Sequence, residues 1–252
     1  MPSNESRSVL MWFRRDLRAR DNTALRAALA SGHAVHCAFI FDRAILDALP
    51  RADRRVEFIQ QSLVGLDEEL RTLSGHPGGG LIVRHGVAAD DVPRLAAELK
   101  VQAVYTNHDY EPAAIVRDDR VLRTLTAMGV AWHSFKDQVI FERAEVLTQG
   151  GKPYSVFTQY KNAWHKKLDQ LGVDQVGLDA THDADAQTEW QRLTPRPEGL
   201  RQPPLSLQDV GFEPTGLSQW GIAGGSAAAQ TLFTDFLRRI DAYDGLTRRL
   251  ID

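Results

Sequence analysis

Val9-Leu10-Met11-Trp12-Phe13-Arg14-Arg15-Asp16-Leu17-Arg18, followed closely by Asp21-Asn22 and an alanine-rich stretch, decides the fold. An apolar run breaks abruptly into alternating charge. This reads as a buried first strand whose carboxyl end delivers charged side chains to a sheet edge. In open α/β sheets, ligands bind outside the carboxyl ends of the strands. A ligand or a second domain is therefore expected to dock at the break. The competing reading makes its arginines and Asp16 an ion-pair cluster in solvent, which contributes little. Spacing does not choose between the two.

Outward from this stretch, strand and helix alternate. Residues 8–13 form the first strand, and Asp21 N-caps a helix over 22–30 that ends at Gly32. A β-branched and aromatic strand over 35–41 is closed by Asp42. Asp53 opens a long helix in which Val56, Ile59, Leu63, Leu66, Leu70 and Leu73 recur by threes and fours, one buried stripe. Gly78-Gly79-Gly80 stops it. A strand at 81–84, a helix after Asp90 carrying Val92, Leu95, Ala96 and Leu99, and a strand at 101–107 follow. A helix over 118–128 turns Val121, Leu122 and Leu125 inward, and 130–135 is the fifth strand. Parallel strands need crossover connections, and helices supply them. The expected fold is α/β: a five-stranded parallel, Rossmann-like sheet with helices on both faces. The domain occupies 8–137.

After Phe135 the rhythm fails. Residues 154–171 form an amphipathic helix with Phe157, Tyr160, Trp164, Leu168 and Leu171 on one face. Residues 172–225 hold five of the eleven prolines and no sustained period. This is a linker, assigned to 138–225, and its Trp190 and Trp220 imply that it packs on something. Residues 226–240 then form a clean amphipathic helix with Leu232, Phe233, Phe236, Leu237 and Ile240 in its stripe. A lone helix cannot bury such a face, so 226–252 reads as the start of a cut-short helical domain.

Composition narrows the function. With 43% hydrophobic and 25% charged residues the chain is ordinary for a globular protein. No apolar run approaches the roughly 20 residues of a membrane span, and the polar first residues lack a signal core. The single Cys37 permits no internal disulfide. A cytoplasmic setting without membrane contact is expected. A net charge of −3 argues against holding DNA by bulk charge. No metal is expected, because neither His33 with His36 nor His108 with Asp109 has ligand spacing. The triple glycine follows a helix and precedes a strand, the reverse of a phosphate cradle. Lys161, His165, Lys166 and Lys167 form a basic helix end, by default a solvated face.

Trp12-Phe13-Arg14-Arg15-Asp16-Leu17-Arg18 with Asp21-Asn22 and Leu25 resembles the N-terminal signature of the DNA photolyase/cryptochrome family. The likeness continues through Phe39-Ile40-Phe41-Asp42, Asn107-His108-Asp109-Tyr110-Glu111-Pro112 with Arg117-Asp118, Gly151-Lys152-Pro153-Tyr154-Ser155-Val156-Phe157-Thr158 and Lys161-Asn162-Ala163-Trp164. The order and spacing match along essentially the whole chain.

The resemblance implies an antenna domain joined by a wrapping linker to a helical domain that holds FAD. It implies light-driven repair of cyclobutane pyrimidine dimers in ultraviolet-damaged DNA, by electron transfer from reduced FAD to a flipped-out lesion. The enzyme would be a deoxyribodipyrimidine photo-lyase, monomeric at full length. Tyr243 stands where the family contacts FAD phosphates. Phe41, Asp42, Asn107 and Glu111 lie at the sheet's ligand edge as possible antenna-pocket residues. Arg14, Arg15 and Asp16 are expected to brace a domain interface. Folate-using members place an Asn-Glu pair where this chain has Ala113-Ala114, which offers neither donor nor acceptor. That disfavours folate and leaves deazaflavin, another flavin or no antenna open. The pyrophosphate loop and dimer pocket would lie past Asp252, so the chain is expected to be an N-terminal portion, inactive alone and without stable FAD or catalytic residues of its own. A cryptochrome photoreceptor without repair activity is the first alternative. An adenine-nucleotide-binding α/β module is the second, but Trp12–Arg18 lacks the glycine-rich or histidine-containing phosphate loop it would need.

Overall fold

The computed structural model describes residues 7–172 and 189–240. Its strands are β1 (Ser8–Phe13), β2 (Ala34–Asp42), β3 (Leu81–Gly86), β4 (Ala103–Asn107) and β5 (Ala131–Phe135). Its α-helices are α1 (Thr23–Ala30), α2 (Arg43–Leu46), α3 (Arg54–Ser74), α4 (Ala88–Glu98), α5 (Pro112–Ala127), α6 (Phe157–Leu171) and α7 (Ser226–Arg239). The five strands form one parallel sheet in the order β3-β2-β1-β4-β5. The chain winds outward from β1 to β3, then returns to add β4 and β5 on the other side. The switch point lies between β1 and β4.

Strand periodicity sorts β1 between two cores. Val9, Met11 and Phe13 join Leu25, Leu29, Val56, Leu63, Leu66 and Leu70 on the face carrying α1 and α3. Leu10 and Trp12 join Val92, Leu95, Val121 and Leu125 on the face carrying α4 and α5. Both faces of the central strands are therefore covered, as a parallel sheet requires.

Several element ends differ from the sequence reading. Asn22, not Asp21, caps α1 by accepting from the Leu25 N–H, while Asp21 sits in the left-handed region at φ 51°. Asp53 does cap α3, but the helix ends earlier than the triple glycine, at Gly75 with φ 64°. Helix α4 starts before Asp90. Its cap comes from Asp42 Oδ1, which accepts from Ala88 N at 3.2 Å. Asp90 and Asp91 instead lie in the first turn, where carboxylates suit the helix dipole. Helix α5 begins at Pro112, whose missing N–H costs nothing there. Leu122 on α5 is not inward but 39% exposed. Helix α6 begins at Phe157 rather than at Tyr154.

The proline-rich segment from residue 189 packs back on the α1/α3 face. Trp190, Leu193, Leu207, Val210, Phe212 and Leu217 are buried in that core. Val35 of β2 donates to the Arg192 carbonyl at 2.8 Å and accepts from Thr194 N at 3.0 Å. The buried Arg196 reaches Asp67 Oδ1 at 3.1 Å and the Leu81 and Gln202 carbonyls at 3.1 and 2.9 Å. At Gly224 a Cβ would lie 2.5 Å from the Phe58 carbonyl oxygen, so only glycine permits this approach to α3. Trp220, by contrast, is 64% exposed, with the Arg54 guanidinium 4.7 Å above its ring. Helices α6 and α7 contribute no buried residue.

Candidate functional site

The charged break after β1 lies at the switch point, where an open α/β sheet offers its crevice. That crevice is filled by the chain itself. Asp16 is buried, and its Oδ1 accepts from Arg14 N at 3.0 Å. Its Oδ2 accepts from Asn22 Nδ2 at 3.1 Å and from Asn107 Nδ2 at 2.5 Å. Asn107 also donates to Asn22 Oδ1 at 3.0 Å, and its own Oδ1 accepts from Ala24 N at 2.9 Å. A buried carboxylate is tolerated only with such donors. The Asp16-Asn22-Asn107 network ties β1, α1 and β4 together.

Around it runs a ring of ion pairs. Arg14 meets Asp118 at 2.5 Å and donates to the Asn107 carbonyl. Arg117 meets Asp118 at 3.0 Å and Asp109 at 3.7 Å. Arg15 meets Asp109 at 3.4 Å and Glu111 at 2.8 Å. Arg18 meets Asp137 at 2.9 Å, and Asp137 also accepts from Thr23 N at the start of α1. The guanidinium carbons of Arg14 and Arg117 lie 5.0 and 5.1 Å from the Trp12 ring centre. Arg14, Arg15 and Asp16 thus brace the elements of this domain to one another.

The four residues read as an antenna edge have separate environments. Phe41 is 2% exposed and packs edge-on to Phe39. Asp42 Oδ1 accepts from Ala44 N and Ala88 N, holding the starts of α2 and α4. Asn107 is spent on the network just described. Only Glu111 faces solvent, paired with Arg15. Tyr243 lies outside the described residues. Lys161, His165 and Lys166 are exposed on α6, and Lys167 donates to the Glu145 carbonyl and sits 5.1 Å from the Phe141 ring. Among the described residues no cluster of His, Cys, Asp and Glu could hold a metal ion. No helix among them is long and apolar enough to cross a membrane.

Beside this ring, a cavity of about 180 Å³ opens between α5 and the β4–β5 edge, lined in part by His108, Asp118, Trp132, Ser134 and Arg143. A chain of side chains runs along its rim. Ser134 Oγ lies 3.2 Å from His108 Nε2, and His108 Nδ1 lies 2.8 Å from Glu142 Oε2. Tyr110 donates its hydroxyl to the same oxygen at 2.8 Å. Burial and this bond to a carboxylate push the Tyr110 phenol upward. Burial works against the Glu142 charge, but the bonds from His108 and Tyr110 prevail and hold its carboxyl below the usual range.

The DNA photolyase family model matches residues 9–181. The chain is 35% identical over 250 residues to a Halobacterium salinarum deoxyribodipyrimidine photo-lyase, covering 95% of this chain and 48% of that protein. This chain belongs to the DNA photolyase/cryptochrome family. It is also 35% identical over 164 residues to Arabidopsis thaliana cryptochrome-1, covering 63% of this chain and 22% of the plant protein. Among solved structures, it is similar to an archaeal photolyase from Sulfolobus tokodaii described with two FAD molecules. The TM-score is 0.55 at 30% identity, over 66% of this chain and 35% of that one. A bacterial class III photolyase from Agrobacterium tumefaciens aligns with a TM-score of 0.57 at 29% identity, over 65% and 32%. The chain spans about half the length of the Halobacterium photo-lyase, and its parallel sheet corresponds to the N-terminal domain of the solved photolyases.

In this photolyase-family domain, sequence reading missed Ser134 and Glu142. His108 was weighed only as a metal ligand. One signal was available. The β4–β5 register sets Asn107 opposite Phe135, which brings His108 and Ser134 to the same edge. Glu142 arrives from an irregular loop with no periodicity to place it.

Proposed function

We propose that this chain is the antenna-side domain of a photolyase that repairs cyclobutane pyrimidine dimers in ultraviolet-damaged DNA. The repair activity belongs to a protein of the relatives' length. The observation that carries the reading is the photo-lyase likeness over 95% of the chain, together with the five-stranded parallel sheet. Reduced FAD, when bound by the whole protein, supplies the electron that opens the dimer.

In this proposal residues 8–137 form the sheet domain, 138–225 the wrapping linker and 226–252 the entry into the helical domain. Tyr243 is assigned to the FAD phosphates. Phe41, Asp42, Asn107 and Glu111 are assigned to an antenna pocket at the carboxyl edge of the sheet, where Glu111 is the most exposed of the four. Alanine at 113 and 114 disfavours a folate and leaves a deazaflavin, another flavin or no antenna open. We place the protein in the cytoplasm and expect the full-length form to be monomeric. The chain alone is expected to show neither flavin absorbance nor repair.

The test is repair of a dimer-containing oligonucleotide under blue light, by the native protein and by this chain alone. Repair by the native protein and not by the chain supports the proposal. Light-dependent partner binding by the native protein, without repair, replaces it with the photoreceptor reading.

A further inference from the structure

We propose that Ser134, His108 and Glu142 form an activated-nucleophile site that hydrolyses small carboxylic esters, independently of flavin and light. The geometry is that of a nucleophile, its base and the base's orienter. Ser134 Oγ is within hydrogen-bond reach of His108 Nε2, and Glu142 Oε2 engages the opposite ring nitrogen. A proton on Nδ1 shared with Glu142 leaves Nε2 free to accept the Ser134 proton. Such constellations are recognised by geometry and roles rather than by chain order or fold. Tyr110 holds the same Glu142 oxygen, so the orienting group is itself fixed.

Two further features point to a ligand. Ser134 and His108 both line the cavity, and Trp132, Ile115 and Leu122 line it too, giving an apolar floor for an aryl or short acyl group. Arg143 lines the same cavity, directly after Glu142, and its charge acts on both Glu142 and Tyr110. Its backbone sits at φ 48°, a region a non-glycine residue rarely adopts, and such strain concentrates at ligand sites.

In the first step Ser134 Oγ bonds to the ester carbonyl carbon as its proton passes to His108 Nε2. Collapse breaks the bond to the leaving oxygen, which takes the proton and departs as an alcohol or phenol. Water then attacks the acyl-serine, giving a proton to His108. Release of the carboxylic acid restores the serine hydroxyl.

The experiment uses the full chain with p-nitrophenyl acetate in the dark, followed by a fluorophosphonate probe and peptide mass spectrometry. We expect hydrolysis above buffer, a single adduct on Ser134, and a loss of about 100-fold in turnover for S134A and for H108Q. E142Q is expected to lose less, because the amide still accepts from the ring. Ser134 lies on an exposed edge strand, so S134A retains the fold, which its circular dichroism melt verifies. The adduct is mapped on the unmodified chain and does not depend on any variant. An adduct elsewhere or none, or a folded S134A with unchanged turnover, overturns the proposal.

Discussion

Replacing Asn107 with alanine removes three interactions at the centre of the switch-point network. The buried Asp16 carboxylate loses its donor at 2.5 Å, the Ala24 N–H loses its acceptor at 2.9 Å, and Asn22 Oδ1 keeps only Leu25 N. A hydrogen bond to a charged group contributes about 1.5–3 kcal/mol, and an orphaned buried donor costs about 1–3 kcal/mol. Ala24 is 0% exposed, so water cannot substitute at its N–H. The expected loss is about 3–5 kcal/mol. At about 2–4 °C per kcal/mol for a chain of this size, Tm falls by about 6–20 °C. Urea titration should show a lower midpoint at unchanged slope. N107D sharpens the test. Its second carboxylate faces that of Asp16, so the variant should be weakest at neutral pH and partly recover in acid, where the pair shares a proton. A loss below about 1 kcal/mol in N107A would refute the reasoning. Asn107 would then be a surface or ligand-facing residue whose interior bonds count for little.

Four further outcomes are expected. Burial pushes the His36 imidazole down to about 4 from 6.5, with Nδ1 unpartnered, so the unfolded state takes up a proton first as pH falls. Stability should drop between about pH 6.5 and 4 by up to about 3 kcal/mol, and H36Q should flatten that slope in urea titrations across pH. The Glu57 carboxyl is held below its usual range chiefly by the Thr215 hydroxyl, so the contribution it makes above the ordinary glutamate range is lost as pH falls through the lowered value. The protection factor of the Thr215 amide, corrected for the intrinsic exchange rate, should fall on acidification, and E57Q should show low protection already at neutral pH. L63A, in the stripe of α3 at 0% exposure, should cost about 2–5 kcal/mol in chemical denaturation. Phe233 and Phe236 on α7 are 53% and 40% exposed, so light scattering should show concentration-dependent association that F233E/F236K abolishes without lowering Tm.

Periodicity made the sheet domain legible because its two repeats are physically enforced. Strands covered on both faces must be apolar throughout, and helices on a sheet must carry one stripe, as β1 and α3 do. Element ends were less legible because capping partners need not be local. Asp42 caps α4 from a different strand, and nothing near Asp90 signals this. The packing of residues 189–217 was legible only as a hint from Trp190 and Trp220, of which Trp190 alone is buried, since its anchors, Arg196 on Asp67 and Thr215 on Glu57, join residues far apart in sequence. At the candidate site, composition announced a charged break but not its use. Only the folded chain brings Asp16 and Asn107 together, their polar atoms shared with Arg14, Asn22 and Ala24. Ser134, His108 and Glu142 carry no spacing signature at all.

The two sides of the sheet are finished to different degrees, and this bears on where chemistry can occur. On the α1/α3 side the returning segment covers the helices and buries Trp190, Leu193, Leu207, Val210, Phe212 and Leu217 against them. On the other side β5 is mostly exposed, and α5 leaves Ile115, Val116 and Leu122 at the surface. The switch point, the usual ligand crevice, is closed by Asp16, Asn107 and Arg14, each already paired. Accessible polar atoms beside apolar wall therefore occur together at the β4–β5 edge, one strand away from the switch point. Closing the crevice with a rigid network fixes the ends of β1 and β4. That in turn fixes His108, the residue immediately after β4, against Ser134 on β5. The bracing of the charged break and the reactivity proposed for its neighbour are thus one structural fact. If N107A left the His108–Ser134 distance and ester turnover unchanged while destabilising the chain, this last link would fail, though the network and the site would each stand.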